Sequence, residues 1–178
     1  MSKITLCGKE FSLFISANKI QAEVQRIADA INASLKGEDV IFLGVLNGSF
    51  MFASDLVQKI DFAVQVTFIK LASYLGQEST GMVKQLIGIN EDLEDKTVII
   101  VEDIIDSGNT IESIIGQIKS FRPRKIFVAT LLLKPEVYKK EIKIDYVGFS
   151  IPKNFVVGYG LDYNGYGRNL RNLYSIQE

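Results

Sequence analysis

From Val98 the chain reads Val98-Ile99-Ile100-Val101-Glu102-Asp103-Ile104-Ile105-Asp106-Ser107-Gly108-Asn109-Thr110. Thr97–Val101 is apolar at nearly every position, and a strand without a polar face belongs in the middle of a parallel sheet covered by helices. It delivers two adjacent acids, Glu102 and Asp103, at its carboxyl end, where open α/β sheets bind their ligands. A short turn holding Asp106, Ser107 and Gly108 follows. Beyond it Ile111, Ile114, Ile115 and Ile118 give the i, i+3, i+4, i+7 spacing of a helix.

The chemistry of that turn suits one phosphate monoester. Gly108 lets backbone approach a ligand closely. The N–H groups around Ser107–Thr110 have no helical partners, and the helix dipole is positive there. The hydroxyls of Ser107 and Thr110 complete the cradle. A pair of acids beside a phosphate repels it unless the acids face sugar hydroxyls or a cation. Glu102 and Asp103 suit the 2′- and 3′-hydroxyls of a ribose, so a ribose 5-phosphate fits, with its phosphate on the turn and its diol on the acids. An isolated Asp-Ser-Gly is more often a plain helix cap. Two acids, Asp106, Gly108 and two hydroxyls within nine positions favour the ligand site.

Outward from this motif, strands alternate with helices. Ser16 reads as an N-cap, Ile20, Val24, Ile27, Ile31 and Leu35 share one helical face, and Gly37 supplies the stop. Val40–Leu46 is a strand ending at Asn47-Gly48-Ser49, and Phe50–Lys59 is a helix. Phe62–Tyr74 is β-rich, with Val64, Val66 and Phe68 alternating against Gln65 and Thr67. Leu75–Met82 is a loop, and Val83–Ile89 returns as its hairpin partner. Lys125–Leu133 and Asp145–Ser150 are further strands, and Phe155–Tyr166 is an irregular cover. The expected fold is α/β, a mostly parallel central sheet flanked by helices, in one domain over 1–178.

Bulk composition removes several function classes. Of 178 residues, 47% are hydrophobic and 23% charged, an ordinary globular balance. With 20 basic and 21 acidic residues the net charge is −1, which gives no electrostatic case for nucleic acid or an anionic membrane as partner. The N-terminal stretch Met1–Ile15 lacks a signal-peptide pattern, and no apolar run approaches the roughly 18 residues of a membrane span. With Cys7 as the one cysteine, the expected location is the cytoplasm. Histidine is absent, which removes Ser-His and Cys-His catalysis and His-ligated metals together. The remaining chemistry rests on carboxylates, Lys, Arg, hydroxyls and backbone amides, or on a hard metal held by oxygen.

The run Val101–Thr110 resembles the phosphoribosyl pyrophosphate motif of type I phosphoribosyltransferases. From about Val40 to Leu173 the chain is similar to the hypoxanthine-guanine branch of that family, with four motifs in the family's order. The resemblance implies the type I fold, with a small hood from about 1–15 and 151–178. It also implies magnesium, the substrates phosphoribosyl pyrophosphate and a 6-oxopurine, and a homodimer or homotetramer.

By the same resemblance, Glu102 and Asp103 hold the ribose hydroxyls with magnesium nearby, and Asp106, Ser107, Gly108, Asn109 and Thr110 hold the 5-phosphate. Asp106 also lies near the purine N7 as general acid/base. Asn47 and Gly48 occupy the pyrophosphate loop, where family members tend to have a basic residue at the position of Asn47. The family often has a cis peptide ahead of that position, whereas Asn-Gly alone is simply a good turn. Ser73 and Tyr74 open a polar lid. Lys134 donates to the purine O6, which selects hypoxanthine or guanine over adenine. Phe155 stacks on the purine and the Val156 backbone reads its edge; Asp162, counted with the purine-binding residues, anchors a second magnesium through pyrophosphate oxygens and water, and Arg168 binds pyrophosphate. Asn154 and Gly160 stand where some relatives carry Lys and Ala.

Three other functions could use acids at a strand end or the same fold. A P-loop kinase lacks its G-x-x-x-x-G-K-[ST] run here. A phosphatase with an Asp nucleophile calls for a differently spaced acid pair. A regulator of the same fold that binds ligand or RNA without catalysis is the alternative from another class, and balanced charge with Asp106 and Lys134 in place argues against it.

Overall fold

The computed structural model describes residues 3–72 and 84–176. A hairpin of β1 (Lys3–Leu6) and β2 (Lys9–Ile15) leads into α1 (Ala17–Leu35). Then come β3 (Val40–Leu46), α2 (Phe50–Val57), β4 (Gln65–Ala72) and β5 (Lys84–Ile87). The second half runs β6 (Thr97–Ile105), α3 (Asn109–Lys119), β7 (Lys125–Leu133) and β8 (Tyr146–Ser150). It closes with the short β9 (Val156–Val157) and β10 (Leu173–Ile176).

Six strands make the main sheet in the order β5-β4-β3-β6-β7-β8. β4, β3, β6, β7 and β8 pair in parallel in that order, and β5 joins β4 antiparallel at the edge, as the hairpin reading expected. β6 lies in the middle, with Val98, Ile99, Ile100 and Val101 fully buried. Alternation along this strand divides its side chains between two cores. Ile99 and Val101 pack with Ile20, Val24 and Ile27 of α1 and Phe52 and Leu56 of α2. Val98 and Ile100 pack with Ile111, Ile114 and Ile118 of α3 on the other face. No helix among the described residues is long and apolar enough to cross a membrane.

A second sheet, antiparallel in the order β1-β2-β10-β9, forms the hood. Its own small core is built on Phe11, Val157 and Tyr174. The segment read as an irregular cover therefore contributes one short strand.

Several local expectations change. β6 runs on to Ile105, so the two acids lie inside the strand's last turn of pleat and share its rigidity. Ser16 occupies the N-cap position of α1 but makes no side-chain cap bond. The Ala17 N–H is taken instead by Asn172 Oδ1 at 2.7 Å, a tertiary partner invisible to local pattern. α2 stops at Val57 because the following turns tighten, with Lys59 and Ile60 donating to Leu56 and Val57 three residues back. In β4 the alternation is reversed at one pair: Val66 is exposed and Thr67 buried. Thr67 is satisfied there by donating to Glu91 Oε2 at 2.5 Å. Phe68 lies against Gly44 of β3, where an added Cβ would meet the ring at 2.7 Å.

Candidate active site

The site lies at the carboxyl ends of β3, β6 and β7, under the hood. Glu102 and Asp103 are only 9% and 7% exposed. Burial, then the neighbouring Asp103 charge, pushes the Glu102 carboxyl well above the ordinary carboxylate range. Burial raises Asp103 as well, opposed by backbone N–H bonds, by Glu102 and by the charge of Arg168. Glu102 Oε2 is buried with no hydrogen-bond partner among the described residues. Buried polar atoms are seldom left so. The pair is built to receive something, either a hydroxyl donor or a cation.

Immediately beyond, the turn and the first residues of α3 line a pocket of about 120 Å³ with Glu102, Asp106, Ser107, Gly108, Asn109 and Thr110. Gly108 sits at φ +84, and a Cβ there would lie 2.5 Å from the Tyr138 ring. The position requires glycine for both its conformation and its space. With the first amides of α3 and two hydroxyls around it, the pocket suits a phosphate.

A larger, adjoining cavity of about 320 Å³ brings together Asn47, Gly48, Glu102, Asp103, Asp106, Lys134, Phe155, Val156, Asp162 and Arg168. Three strand ends and the hood supply them. β3 ends in a cis Leu46–Asn47 peptide, so of the two sequence readings of Asn-Gly the cis one is present. Gly48 lies against Asp103, whose Oδ2 would be 1.7 Å from an added Cβ. β7 delivers Lys134, which is 9% exposed and pairs with Asp106 Oδ1 at 2.8 Å. Its backbone N–H donates to Ile105 O at 3.0 Å, which ties the end of β7 to that of β6.

From the hood, Arg168 bridges to Asp162 at 2.6 Å and donates to Gly160 O at 2.7 Å. Gly160 itself stands at φ +97 with Gly48 O 2.0 Å from where a Cβ would be, so this backbone admits no alanine without moving. The Phe155 ring is 45% exposed and is braced edge-on by Tyr163, centroids 5.7 Å apart. An open aromatic face, a nearly buried ammonium and two acids around one cavity suit a planar base carrying a carbonyl.

Every sequence-predicted site residue within the described regions therefore lines one of two adjoining pockets, and Glu102 and Asp106 line both. The proposed lid residues Ser73 and Tyr74 lie outside the described residues. Six lining residues were missed: Val45, Leu46, Ile104, Ile105, Ile111 and Leu161. Being apolar, they carry no chemical signal in a sequence.

The family model for the phosphoribosyl transferase domain matches residues 16–164. The hypoxanthine-guanine phosphoribosyltransferase of Aquifex aeolicus is 35% identical over 96% of this chain and 97% of its own length. The hypoxanthine phosphoribosyltransferase of Buchnera aphidicola is 40% identical over 85% and 87%. Among solved structures, a hypoxanthine-guanine phosphoribosyltransferase from Bacillus anthracis superposes with a TM-score of 0.87 at 39% identity, covering 94% of this chain and 97% of that one. The motif order, the sheet and its hood, and this breadth of similarity agree: the chain belongs to the phosphoribosyltransferase family, in its hypoxanthine-guanine branch.

Proposed function

We propose that the protein is a purine salvage enzyme, a hypoxanthine phosphoribosyltransferase. It joins N9 of hypoxanthine, and of guanine, to C1′ of phosphoribosyl pyrophosphate, giving IMP or GMP and releasing pyrophosphate. The observation that carries this reading is the meeting of two pockets across Glu102 and Asp106, one fit for a phosphate and one for a planar base.

In this reading the 5-phosphate sits on Asp106–Thr110, and the ribose diol faces Glu102 and Asp103. The base stacks on Phe155 with its O6 toward Lys134 and its edge along the Val156 backbone. Adenine, whose 6-amino group is also a donor, would face the ammonium donor to donor. Asp106 lies toward N7 and accepts the imidazole N–H proton as N9 attacks, which removes the positive charge that would otherwise grow on the ring. Pyrophosphate leaves toward Asn47, Gly48 and Arg168, displaced with inversion at C1′. The chain contributes orientation and fixed charge, and no residue becomes bonded to substrate.

The donor set fits magnesium. Glu102 and Asp103 offer hard oxygen ligands, and Glu102 Oε2 lacks a partner among the described residues. No cluster of three or more acidic, His or Cys side chains exists among those residues to make a complete cage. Magnesium asks for less, since one or two carboxylates with water and substrate oxygens suffice. Glu102 and Asp103 would hold one ion and Asp162 a second. When bound, magnesium neutralises the charge of the leaving pyrophosphate.

We further propose that the chain works as a single domain, in the cytoplasm, as a homodimer or homotetramer, with neither nucleic acid nor membrane as partner. A pyrophosphate-release assay with magnesium and phosphoribosyl pyrophosphate, offering hypoxanthine, guanine, xanthine and adenine separately, tests the activity. Turnover is expected with hypoxanthine or guanine and not with adenine. A folded, magnesium-loaded sample inert with all four would instead favour a ligand-binding regulator of the same fold.

A further inference from the structure

Behind the larger pocket lies a polar contact that takes no part in lining it. Tyr159 is 2% exposed, and its hydroxyl donates to Asp55 Oδ2 at 2.6 Å. The same carboxylate oxygen accepts from the Gln21 side-chain amide. Three elements meet on this one group: Gln21 on α1, Asp55 on α2 and Tyr159 in the hood segment.

The backbone on either side shows what the contact holds. α2 begins directly after Asn47-Gly48-Ser49, so Asp55 is rigidly linked to the loop that ends β3. Tyr159 stands between Gly158 and Gly160 and adopts φ +46, a left-handed conformation that a bulky residue keeps only where its surroundings hold it. Its N–H donates to Leu170 O at 2.7 Å, and the next residue, Gly160, exchanges bonds with Arg168. Gly48 O packs against Gly160. The two walls of the pocket thus touch at Gly48 and Gly160, and the tyrosine hydroxyl is the polar fastening behind that touch.

We infer that Tyr159 and Asp55 are positioning residues: their hydrogen bond holds the Asn47-Gly48 loop and the Asp162–Arg168 wall at the spacing that receives the pyrophosphate group. The spacing matters because both walls must meet one ligand, and a displacement of about 1 Å can reduce a rate on the order of 100-fold. Neither residue touches substrate. The inference rests on the transferase reading only for the identity of the ligand between the walls.

Tyr159→Phe keeps the ring and its apolar packing and removes only the hydroxyl, leaving Asp55 still bonded to Gln21. The expected result is a rise of about tenfold in KM for phosphoribosyl pyrophosphate and in the Kd of magnesium pyrophosphate. KM for hypoxanthine should change much less. Asp55→Ala is expected to show the same split, Asp55→Asn, which retains an acceptor, to recover most of it, and the double variant Tyr159→Phe/Asp55→Ala to be no worse than either single change. Unchanged pyrophosphate affinity in Tyr159→Phe and Asp55→Ala would overturn the inference. So would a loss that follows melting temperature alone and falls equally on both substrates. Calorimetric binding of magnesium pyrophosphate needs no turnover, so an inactive wild type would sink the transferase reading while leaving this comparison intact.

Discussion

Lys134 Nζ lies 2.8 Å from Asp106 Oδ1, which closes a bond across the larger pocket between the end of β7 and the turn after β6. The lysine is held: its side chain is 11% exposed, whereas that of Asp106 is 54% exposed. A base placed against both, as proposed above, must offer the ammonium an acceptor and the carboxylate a ring nitrogen beside it. In the proposed reading the two residues thereby meet neighbouring groups on one edge of the base, O6 and N7.

Asp106→Asn keeps the shape and loses the charge. KM for both substrates should stay within a few-fold of wild type while kcat falls on the order of 100-fold, the scale of one acid/base group. Steady-state kinetics with hypoxanthine decide it. Equal kcat in variant and wild type would remove Asp106 from the mechanism.

Lys134→Met replaces the ammonium with an apolar chain of similar length. The preference for 6-oxopurines over adenine should shrink by on the order of 100-fold or more if, as proposed, that discrimination rests on a donor in a nearly buried position. Comparing kcat/KM for hypoxanthine and adenine tests it. A preserved ratio would place base selection elsewhere, with the Val156 backbone the first candidate.

Gly48→Ala and Gly160→Ala should fail for different reasons. At Gly48 the new methyl would sit 1.7 Å from Asp103 Oδ2, so the acid must move and activity should be lost even if the fold survives. At Gly160 the strain is in the backbone, with φ +97 and Gly48 O 2.0 Å away. Stability should fall there by about 1–2 kcal/mol. Denaturant melts alongside kinetics separate the two, and a fully active Gly48→Ala would show that Asp103 has room to shift.

Glu38 gives a pH dependence at the far end of the sheet. Its carboxylate accepts from Lys125 at 2.5 Å and from Thr97, and these bonds hold it below the ordinary range. The unfolded chain therefore takes up a proton at higher pH than the folded one does. The resulting stability is present above the unfolded value, 4.5, and is lost as pH falls through the lower folded value. Glu38→Gln should lower the melting temperature at pH 7 and lose that difference near pH 3. An unchanged gap at both pH values would mean that the change acts through packing alone.

Much of the fold was legible because its signals are local. The uninterrupted apolar run of β6 could only be a central strand, and Ile111, Ile114 and Ile118 could only face one side of a helix. The phosphate turn was legible for the same reason, since its residues are contiguous. What escaped the sequence depends on partners distant along the chain. Asn172 accepts from the Ala17 N–H at the start of α1, where Ser16 makes no side-chain cap bond. Thr67 is buried because Glu91 accepts from it. The bond between Tyr159 and Asp55 joins residues whose neighbours give neither a motif nor a period. Lys134, Phe155 and Arg168 were placed by resemblance. Alone, a lysine at a strand end or an aromatic in a loop says little about its surroundings.

The hood pairs residues from opposite regions of the chain: Ser12 faces Ser175, and Tyr174 in turn faces Val157. During synthesis β2 leaves the ribosome long before β10, and until β10 arrives neither β2 nor β9 has the neighbour that joins them. β3, β6 and β7 pair with one another without β10, but Leu173 at its start completes the core shared by Phe42, Ile99, Val101 and Ala129. The pairing of the main sheet can thus precede the completion of the hood and of the core that Leu173 fills. A nascent chain halted short of Leu173 would carry every residue that lines the two pockets and lack the strand that joins the hood's two edges.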